Sequence, residues 1–563
     1  MDDKKKLVMI IPIILVLLIP LILTFFIDFF YDVDEIKSNL IWIIPIVLAV
    51  TLATMIFSFI WSFKDFRNLF KKIDRKTWIA LLLIFLVGFS LRVFVAPQVH
   101  RLYYDEDIYL DIGYNIAKNG KASYCTYGNQ EACYEAFYMK QPNGYPFLMS
   151  GVFLFGGDES TAHCATAIIS SLTIISIFFI SYLLFKNKKI SLFSTLIFSL
   201  VPVAIRWAPT TTSDTVFIFF TSLTVLGFLS YFKSDKTSIL MFSFFSLAYA
   251  IQMRPEGLLL IILIIFMFLL IKKNLLQSIL KVDFLLILLV FSILIVPHLI
   301  HSNSVKDENW GTEGDKLGTE YIFDNFEDNG IFFFDNVRFP VFFTILAFLG
   351  LAYDKMWKKK LFLASWFLIF FGLYLLFYAG SFDYGVDVRF SLTMYVPIAI
   401  LGGCGAFLIS KNINKVLKIF FDKKWISHIG LIAATVCVVS SFIPFIGFVS
   451  STGERAWDAR LCHDFLVEKL NELDDNCLII TMIPSVVEIN GKNFMHTEFV
   501  ADQSLMNRLL TENNCVFYYE DYWTYVQFNQ TYGKYIHDNY KLTIYDSVRV
   551  KGTEYTLYYI SLQ

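Results

Sequence analysis

The sequence predicts a polytopic α-helical membrane protein with a small extracytoplasmic α/β domain at its C-terminal end, and three observations predict that class. Hydrophobic residues make up 56% of the 563 and charged residues only 17%. Apolar runs of about 15–25 residues recur from Leu7 to Val449, and one helix needs about 20 apolar residues to cross a hydrocarbon layer of roughly 30 Å. From about Ser450 the long runs stop, and helix-like and strand-like stretches alternate. A soluble protein would need an implausibly large core to bury so many uncharged runs.

The first run, Leu7 to Phe30, is too long for the core of a signal peptide and lacks a small-residue cleavage site, so it reads as a retained span. Lys and Arg then set the orientation, because cytoplasmic loops carry an excess of both. The basic segments are MDDKKK, KDFRNLFKKIDRK (Lys64–Lys76), KNKK (Lys186–Lys189), KKNLLQSILK (Lys272–Lys281), DKMWKKK (Asp354–Lys360) and KNINKVLKIFFDKK (Lys411–Lys424). The loops between them are acidic or mixed. About thirteen spans fit, at roughly 7–30, 40–63, 77–97, 161–185, 190–205, 215–232, 237–253, 257–271, 282–300, 339–353, 361–379, 391–410 and 428–449. With the N-terminus cytoplasmic, basic and non-basic loops alternate without conflict and the tail lies outside. The chain thus divides into an N-terminal pair of spans (1–76), a membrane domain (77–449) with outer loops at 98–160 and 301–338, and an extracytoplasmic domain (450–563).

In the tail, helix-like RAWDARLCHDFLVEKLNEL and QSLMNRLL alternate with strand-like NCLIITMI and CVFYYEDYW, and KLTIYDSVRV and EYTLYYISL follow. That order suggests a small α/β domain. Of eight cysteines, Cys164, Cys404 and Cys437 sit in apolar runs and read as packing residues. Cys125 and Cys133 share the first outer loop, where a disulfide is permitted, and Cys462, Cys477 and Cys515 lie in the tail. The absence of a C-x-x-C pair leaves a zinc ribbon unsupported. NQT at Asn529 is a weak glycosylation signal. A net charge of −2 points to no nucleic-acid partner.

The outer surface opens with YYDEDIYLD, Tyr103 to Asp111. Ile108, Ile112 and Ile116 recur every four residues, which predicts a helix that Gly120 ends. It would place Asp105 at the N-cap and Glu106 and Asp107 in the first turn, where acids complement the helix dipole. A rival reading makes Asp105 and Asp107 a D-x-D metal pair. The loop continues with PNGYP, a rigid turn, and FLMSGVFLF, too short to span and suited to the interface. Further on come APTTTSD ending at Asp214, QMRPEGL with Arg254 and Glu256, VPHLIHSN with His298 and His301, and DVRF with Arg389.

In that order these motifs resemble the GT-C glycosyltransferases, in the branch of the protein O-mannosyltransferases and aminoarabinose lipid A transferases. The pattern is an acidic pair after an early span, a helix ending in Gly, a Pro-Gly-Tyr-Pro-like segment followed by LFG, a later Ser-Asp, RPEGL, and an Arg before a Pro-containing span. It covers roughly residues 78–410. Two spans precede the expected first one, and no Trp-Trp-Asp-type motif is present, which argues against an oligosaccharyltransferase subunit.

The resemblance implies an inverting hexosyl- or pentosyltransferase. Its donor would be a sugar on a polyprenyl-phosphate carrier, reached through the membrane lipid, and its acceptor a hydroxyl of a protein, lipid or glycan on the extracytoplasmic side of the cell membrane. It makes Asp105 the general base, with Glu106 orienting it or binding acceptor. Arg389 is the first candidate for the lipid phosphate, followed by Arg206, Arg254 and Lys140, since guanidinium groups match phosphate oxygens with paired donors. Each Arg alone also reads as an interfacial anchor. Asp214 and Glu256 either hold these arginines or cap loops. ENWGTEGD and FEDNG are candidates for acceptor contacts. His298, with His301, is a candidate substrate or metal contact without a placed third ligand. The pattern specifies no cofactor, and a divalent metal is compatible with it. Two other classes fit the spans: a transporter or lipid flippase, and an inactive scaffold.

Overall fold

Backbone in lipid has no water to bond with, so an uninterrupted apolar run folds on itself into a helix. In a computed structural model the described residues are 3–102, 104–129, 131–272, 278–308, 315–353, 356–383, 387–420, 426–512, 515–526 and 530–561. Among the described residues, eight helices are long and apolar enough to cross a membrane: Val33–Phe70, Arg75–Val95, Glu159–Phe185, Ser213–Ser234, Val282–Ser304, Trp357–Leu376, Val388–Ile419 and His428–Ser450. The run expected at 7–30 lies on the helix Asp3–Phe30, and other expected spans fall on shorter helices, among them Thr237–Met253, Pro255–Ile271 and Val341–Leu351. The run expected to span at 190–205 is divided into Lys188–Ser199 and Pro202–Arg206. Pro202 has no N–H to continue the first helix, so the second starts there.

Glu159–Phe185, Ser213–Ser234 and Val388–Ile419 are largely buried at the centre of the bundle, whereas Arg75–Val95 lies at its edge. There Leu82, Leu83, Leu86 and Val87 are exposed and face outward, which suits a lipid-facing surface. Cys404 is buried as expected, but Cys437 is exposed on the last membrane helix. The FLMSGVFLF segment forms the Gly144–Leu154 helix, which lies against the acidic helix Tyr104–Asn119. A Cβ at Gly113 would stand 2.9 Å from the Pro146 carbonyl oxygen, so glycine is what allows this close approach.

Outside the bundle stands one seven-stranded sheet. Its strands are β1 (Tyr124–Gly128), β2 (Cys133–Phe137), β3 (Leu478–Thr481), β4 (Asn493–His496), β5 (Val516–Glu520), β6 (Lys541–Val550) and β7 (Thr553–Ser561), in the order β2-β1-β4-β3-β5-β7-β6. β3 runs parallel to β4 and β5, and the other pairings are antiparallel. The β1–β2 hairpin comes from the first outer loop, yet β1 pairs with β4 of the tail, Tyr127 opposite Met495 and Gly128 opposite Phe494. Disulfides join Cys125 to Cys133 across the hairpin and Cys477 to Cys515 at the starts of β3 and β5. The tail is therefore fixed to the loop that carries the acidic helix. The NQT sequon at Asn529 lies outside the described residues.

A second tie is a buried carboxyl pair. Asp111, on the acidic helix, accepts hydrogen bonds from the Cys125 N–H and the Asn115 amide, each at 2.9 Å. Glu488, in the tail helix Pro484–Ile489, interacts directly with it. Burial pushes Asp111 up to about 8, and burial followed by the charge of Asp111 pushes Glu488 well above the carboxylate range, while Lys118 opposes that shift. Such a pair keeps one proton in the folded state. Because the Asp111 value is raised from 3.8 to about 8, the folded state binds the extra proton through that window. The pair's contribution is fully present below it and is lost as pH rises through it. Melting temperature in detergent should therefore fall from pH 5 to about pH 8.5 through this pair. Glu488→Gln, which keeps a donor and removes the charge, should flatten that fall; an unchanged profile would refute the shared proton.

Candidate active site

The four-residue isoleucine spacing is realised: Ile108, Ile112 and Ile116 are buried on one face of Tyr104–Asn119. The helix starts at Tyr104, so Asp105 stands in its first turn, and Tyr103 lies outside the described residues. Asp105 is half-buried and accepts a hydrogen bond from the Gln141 amide at 3.3 Å. Burial pushes its carboxyl upward, while Arg389, the Gln141 hydrogen bond and Lys140 favour the anion. The result is a carboxylate more basic than usual beside fixed positive charge.

Its neighbours point elsewhere. Glu106 is fully buried, and one of its oxygens accepts the Arg101 N–H and the Leu102 N–H, the latter at 2.7 Å. The other accepts the Thr211 N–H at 3.0 Å and the Thr211 hydroxyl at 2.9 Å. This carboxylate thus fastens the start of the acidic helix to the APTTTSD loop. Asp107 turns to His100, with Oδ1 3.7 Å from Nδ1. Residues two apart on a helix do not share a face, and among the described residues no metal-compatible group includes Asp105. Asp105 and Asp107 therefore do not converge as a D-x-D pair.

The positive charge opposite Asp105 is built around Asp214, in the first turn of Ser213–Ser234. Arg389, on the short turn Asp387–Met394, has its Nε 3.8 Å from the Asp214 carboxylate. Arg254 pairs with the same oxygen of Asp214 and forks onto Glu256, with Nε at 3.1 Å and an Nη at 2.7 Å. Tyr374 donates its hydroxyl to Glu256 at 3.3 Å. The Tyr109 hydroxyl, one turn along from Asp105, is 3.5 Å from the Ser213 hydroxyl and ties the two helix starts together. Two largely buried guanidinium groups thus share one carboxylate, with Glu256 as a further anchor. Bidentate contacts of this kind fix a guanidinium in place and in plane.

The structure brings together Asp105, Lys140, Arg389, Asp214, Arg254 and Glu256, and leaves two expected residues elsewhere. The Arg206 carbonyl accepts from Arg101 Nε at 3.1 Å, and its guanidinium lies 4.5 Å over the Phe448 ring, toward the junction with the tail. His298 lines a cavity of about 20 Å³ with Asn143, Gly144, Gln252, Pro297 and His301, a volume suited to a single water. In the second outer loop, ENWGTEGD lies almost entirely outside the described residues. Asp328 of FEDNG accepts from the Ser381 hydroxyl at 2.6 Å and lines a cavity of about 400 Å³ with Tyr378, Ser381 and Asp383. Sequence reasoning missed Gln141, Tyr109, Thr211 and Tyr374; Tyr109 and Thr211 stood inside YYDEDIYLD and APTTTSD, but their partners are distant in sequence.

Among solved structures, ArnT from Cupriavidus metallidurans bound to undecaprenyl phosphate superposes with a TM-score of 0.57 at 12% identity, over 86% of this chain and 98% of that one. The chain has the GT-C fold. The apo form of the same ArnT gives a TM-score of 0.57 at 12% identity, over 86% and 97% of the two chains. AglB, the oligosaccharyltransferase of Archaeoglobus fulgidus, in complex with an inhibitory peptide and a dolichol-phosphate, gives 0.50 at 11% identity, over 86% and 74%. Residues 140–301 match the family described as dolichyl-phosphate-mannose-protein mannosyltransferase. That segment of the GT-C chain begins at Lys140 and holds Asp214, Arg254 and Glu256. No curated protein matches the sequence.

Removing Glu106 should unfasten the helix start. Each buried donor left unpaired costs about 1–3 kcal/mol, so Glu106→Ala should lose roughly 3 kcal/mol or more. Its melting temperature in detergent should drop by several degrees, whereas Asp105→Asn, at a half-exposed position, should melt close to wild type.

Proposed function

We propose that this integral membrane protein is an inverting glycosyltransferase that moves a sugar from a polyprenyl-phosphate carrier to an acceptor hydroxyl on the extracytoplasmic side of the cell membrane. The observation that carries the reading is the juxtaposition of one half-buried, basic carboxylate, Asp105, with two anchored guanidinium groups, Arg389 and Arg254. The GT-C fold and the mannosyltransferase segment support it. Transport is less well served, because Asp105 stands on an outer-loop helix and not within a span.

In this reading the donor enters sideways from the lipid with its phosphate at Arg389 and Arg254. The acceptor hydroxyl oxygen attacks the anomeric carbon from the face opposite the phosphate, and its proton passes to Asp105. The bond from the anomeric carbon to the phosphate oxygen breaks, its electron pair stays on that oxygen, and the arginines stabilise the developing charge. Lys140 adds positive charge beside Asp105. Asp214 and Glu256 keep the guanidinium groups in place before the donor arrives, so little reorganisation is needed in the transition state. Glu106 acts as a positioning residue. The basic loops support a cytoplasmic N-terminus, with the site and its tail on the other side.

Transfer assayed in reconstituted vesicles with a polyprenyl-phosphate sugar should fall about 10²- to 10⁴-fold in Asp105→Asn. Donor binding should persist in that variant. Arg389→Ala should lose about 10²-fold or more in rate and also weaken donor binding. Wild-type turnover by Asp105→Asn would remove the base from the scheme.

A further inference from the structure

Behind Asp105, on the side that Asp107 faces, four separate segments bring histidines and carboxylates together. His100 follows the Arg75–Val95 helix, and Asp107 lies on the acidic helix. Glu159 and His163 occupy the first two turns of Glu159–Phe185, and His463 comes from the tail helix Glu454–Glu472. His100 Nδ1 is 3.7 Å from Asp107 Oδ1, and the His100 and His463 rings meet with centroids 4.7 Å apart. One ligand atom each from His100, Asp107 and His463 lie within 4.8 Å of one another. All three residues are at most 2% exposed.

Buried polar atoms are nearly always partnered, and each one left over costs about 1–3 kcal/mol. Here several converge without hydrogen bonds among the described residues: both ring nitrogens of His463, Oδ2 of Asp107 and Nδ1 of His100. Meanwhile Glu159 Oε1 sits 2.7 Å from the other nitrogen of His100 and also 3.2 Å from Arg460. A carboxylate on the far nitrogen of an imidazole is the usual support of a metal-ligating histidine, since it fixes the tautomer and aims the lone pair. With Nε2–H donated to Glu159, Nδ1 of His100 presents its lone pair to Asp107 and His463.

We propose that His100, Asp107 and His463 bind a divalent transition-metal ion, zinc in type, which clasps the tail to the acidic helix. Two imidazoles and one carboxylate suit zinc, whereas magnesium and calcium prefer oxygen ligands. The fourth position falls to water. His163, whose Nδ1 lies 2.5 Å from the Pro209 carbonyl oxygen and whose Nε2 lies 3.5 Å from Glu159, supports Glu159 from its far side. The ion takes no part in sugar transfer: it lies on the Asp107 side of the helix and holds in register the turn that presents Asp105. Sequence reading had no means to find it, because its ligands are spread over positions 100 to 463 without a local motif.

The test is elemental analysis of the full-length protein purified in detergent, before and after stripping with a chelator and reloading with zinc chloride. Wild type should hold about one zinc per chain, lose it to the chelator with a drop in melting temperature, and recover both on reloading. His463→Ala should hold little zinc and melt like the stripped wild type. Should that variant fail to fold, His463→Cys loaded with cobalt should show a thiolate charge-transfer band that the cobalt-loaded wild type lacks. Wild type that neither contains nor takes up zinc, a folded His463→Ala with undiminished zinc, or a cobalt-loaded His463→Cys without the band would each overturn the site.

Discussion

One buried carboxylate sets the direction of everything around it. Glu106 accepts three backbone N–H groups and a hydroxyl from two different loops, so the first turn of the acidic helix cannot rotate without breaking that set. Successive residues on a helix are about 100° apart. With Glu106 held toward Thr211, Asp105 is turned toward Gln141 and the arginines, and Asp107 toward His100. Three consecutive acids that look alike in sequence thus receive three different tasks from helix geometry. Of the three, Asp105 is the one that stays partly exposed.

The same logic governs the arginines. A guanidinium at a membrane surface would ordinarily reach for headgroups or water. Here Asp214 draws in Arg389 and Arg254 together, and Glu256 with Tyr374 fixes the second of them. Positive charge is therefore fixed opposite the carboxylate before any ligand arrives, and it favours the Asp105 anion even as burial opposes it. A charge arrangement of that kind suits a reaction in which one oxygen loses a proton while another gains negative charge.

Local patterns were legible and long-range ones were not. The apolar runs, the isoleucine period at 108, 112 and 116, the close pair Cys125 and Cys133, and the acid–base grouping of RPEGL all act within a few residues, and each is visible in sequence. The pairing of β1 with β4 joins strands more than three hundred residues apart, so the hairpin read as part of a separate loop when it is one edge of the tail's sheet. The run at 190–205 reads as one span in sequence, but Pro202 divides it into two helices. Arg206 and His298 carried attractive residue types, but the Arg206 guanidinium lies over the Phe448 ring and His298 lines a separate small cavity. Glu106 looked chemical because nothing in the sequence says that it would be buried.

The central claim is that a lipid-borne phosphate and Asp105 share one extracytoplasmic chamber. The most direct measurement is a cryo-electron microscopy map of the protein with a polyprenyl phosphate bound. Phosphate density is expected within hydrogen-bond reach of the Arg389 guanidinium, open toward the Asp105 carboxylate. Phosphate bound on the far side of the bundle, or separated from Asp105 by packed side chains, would contradict it.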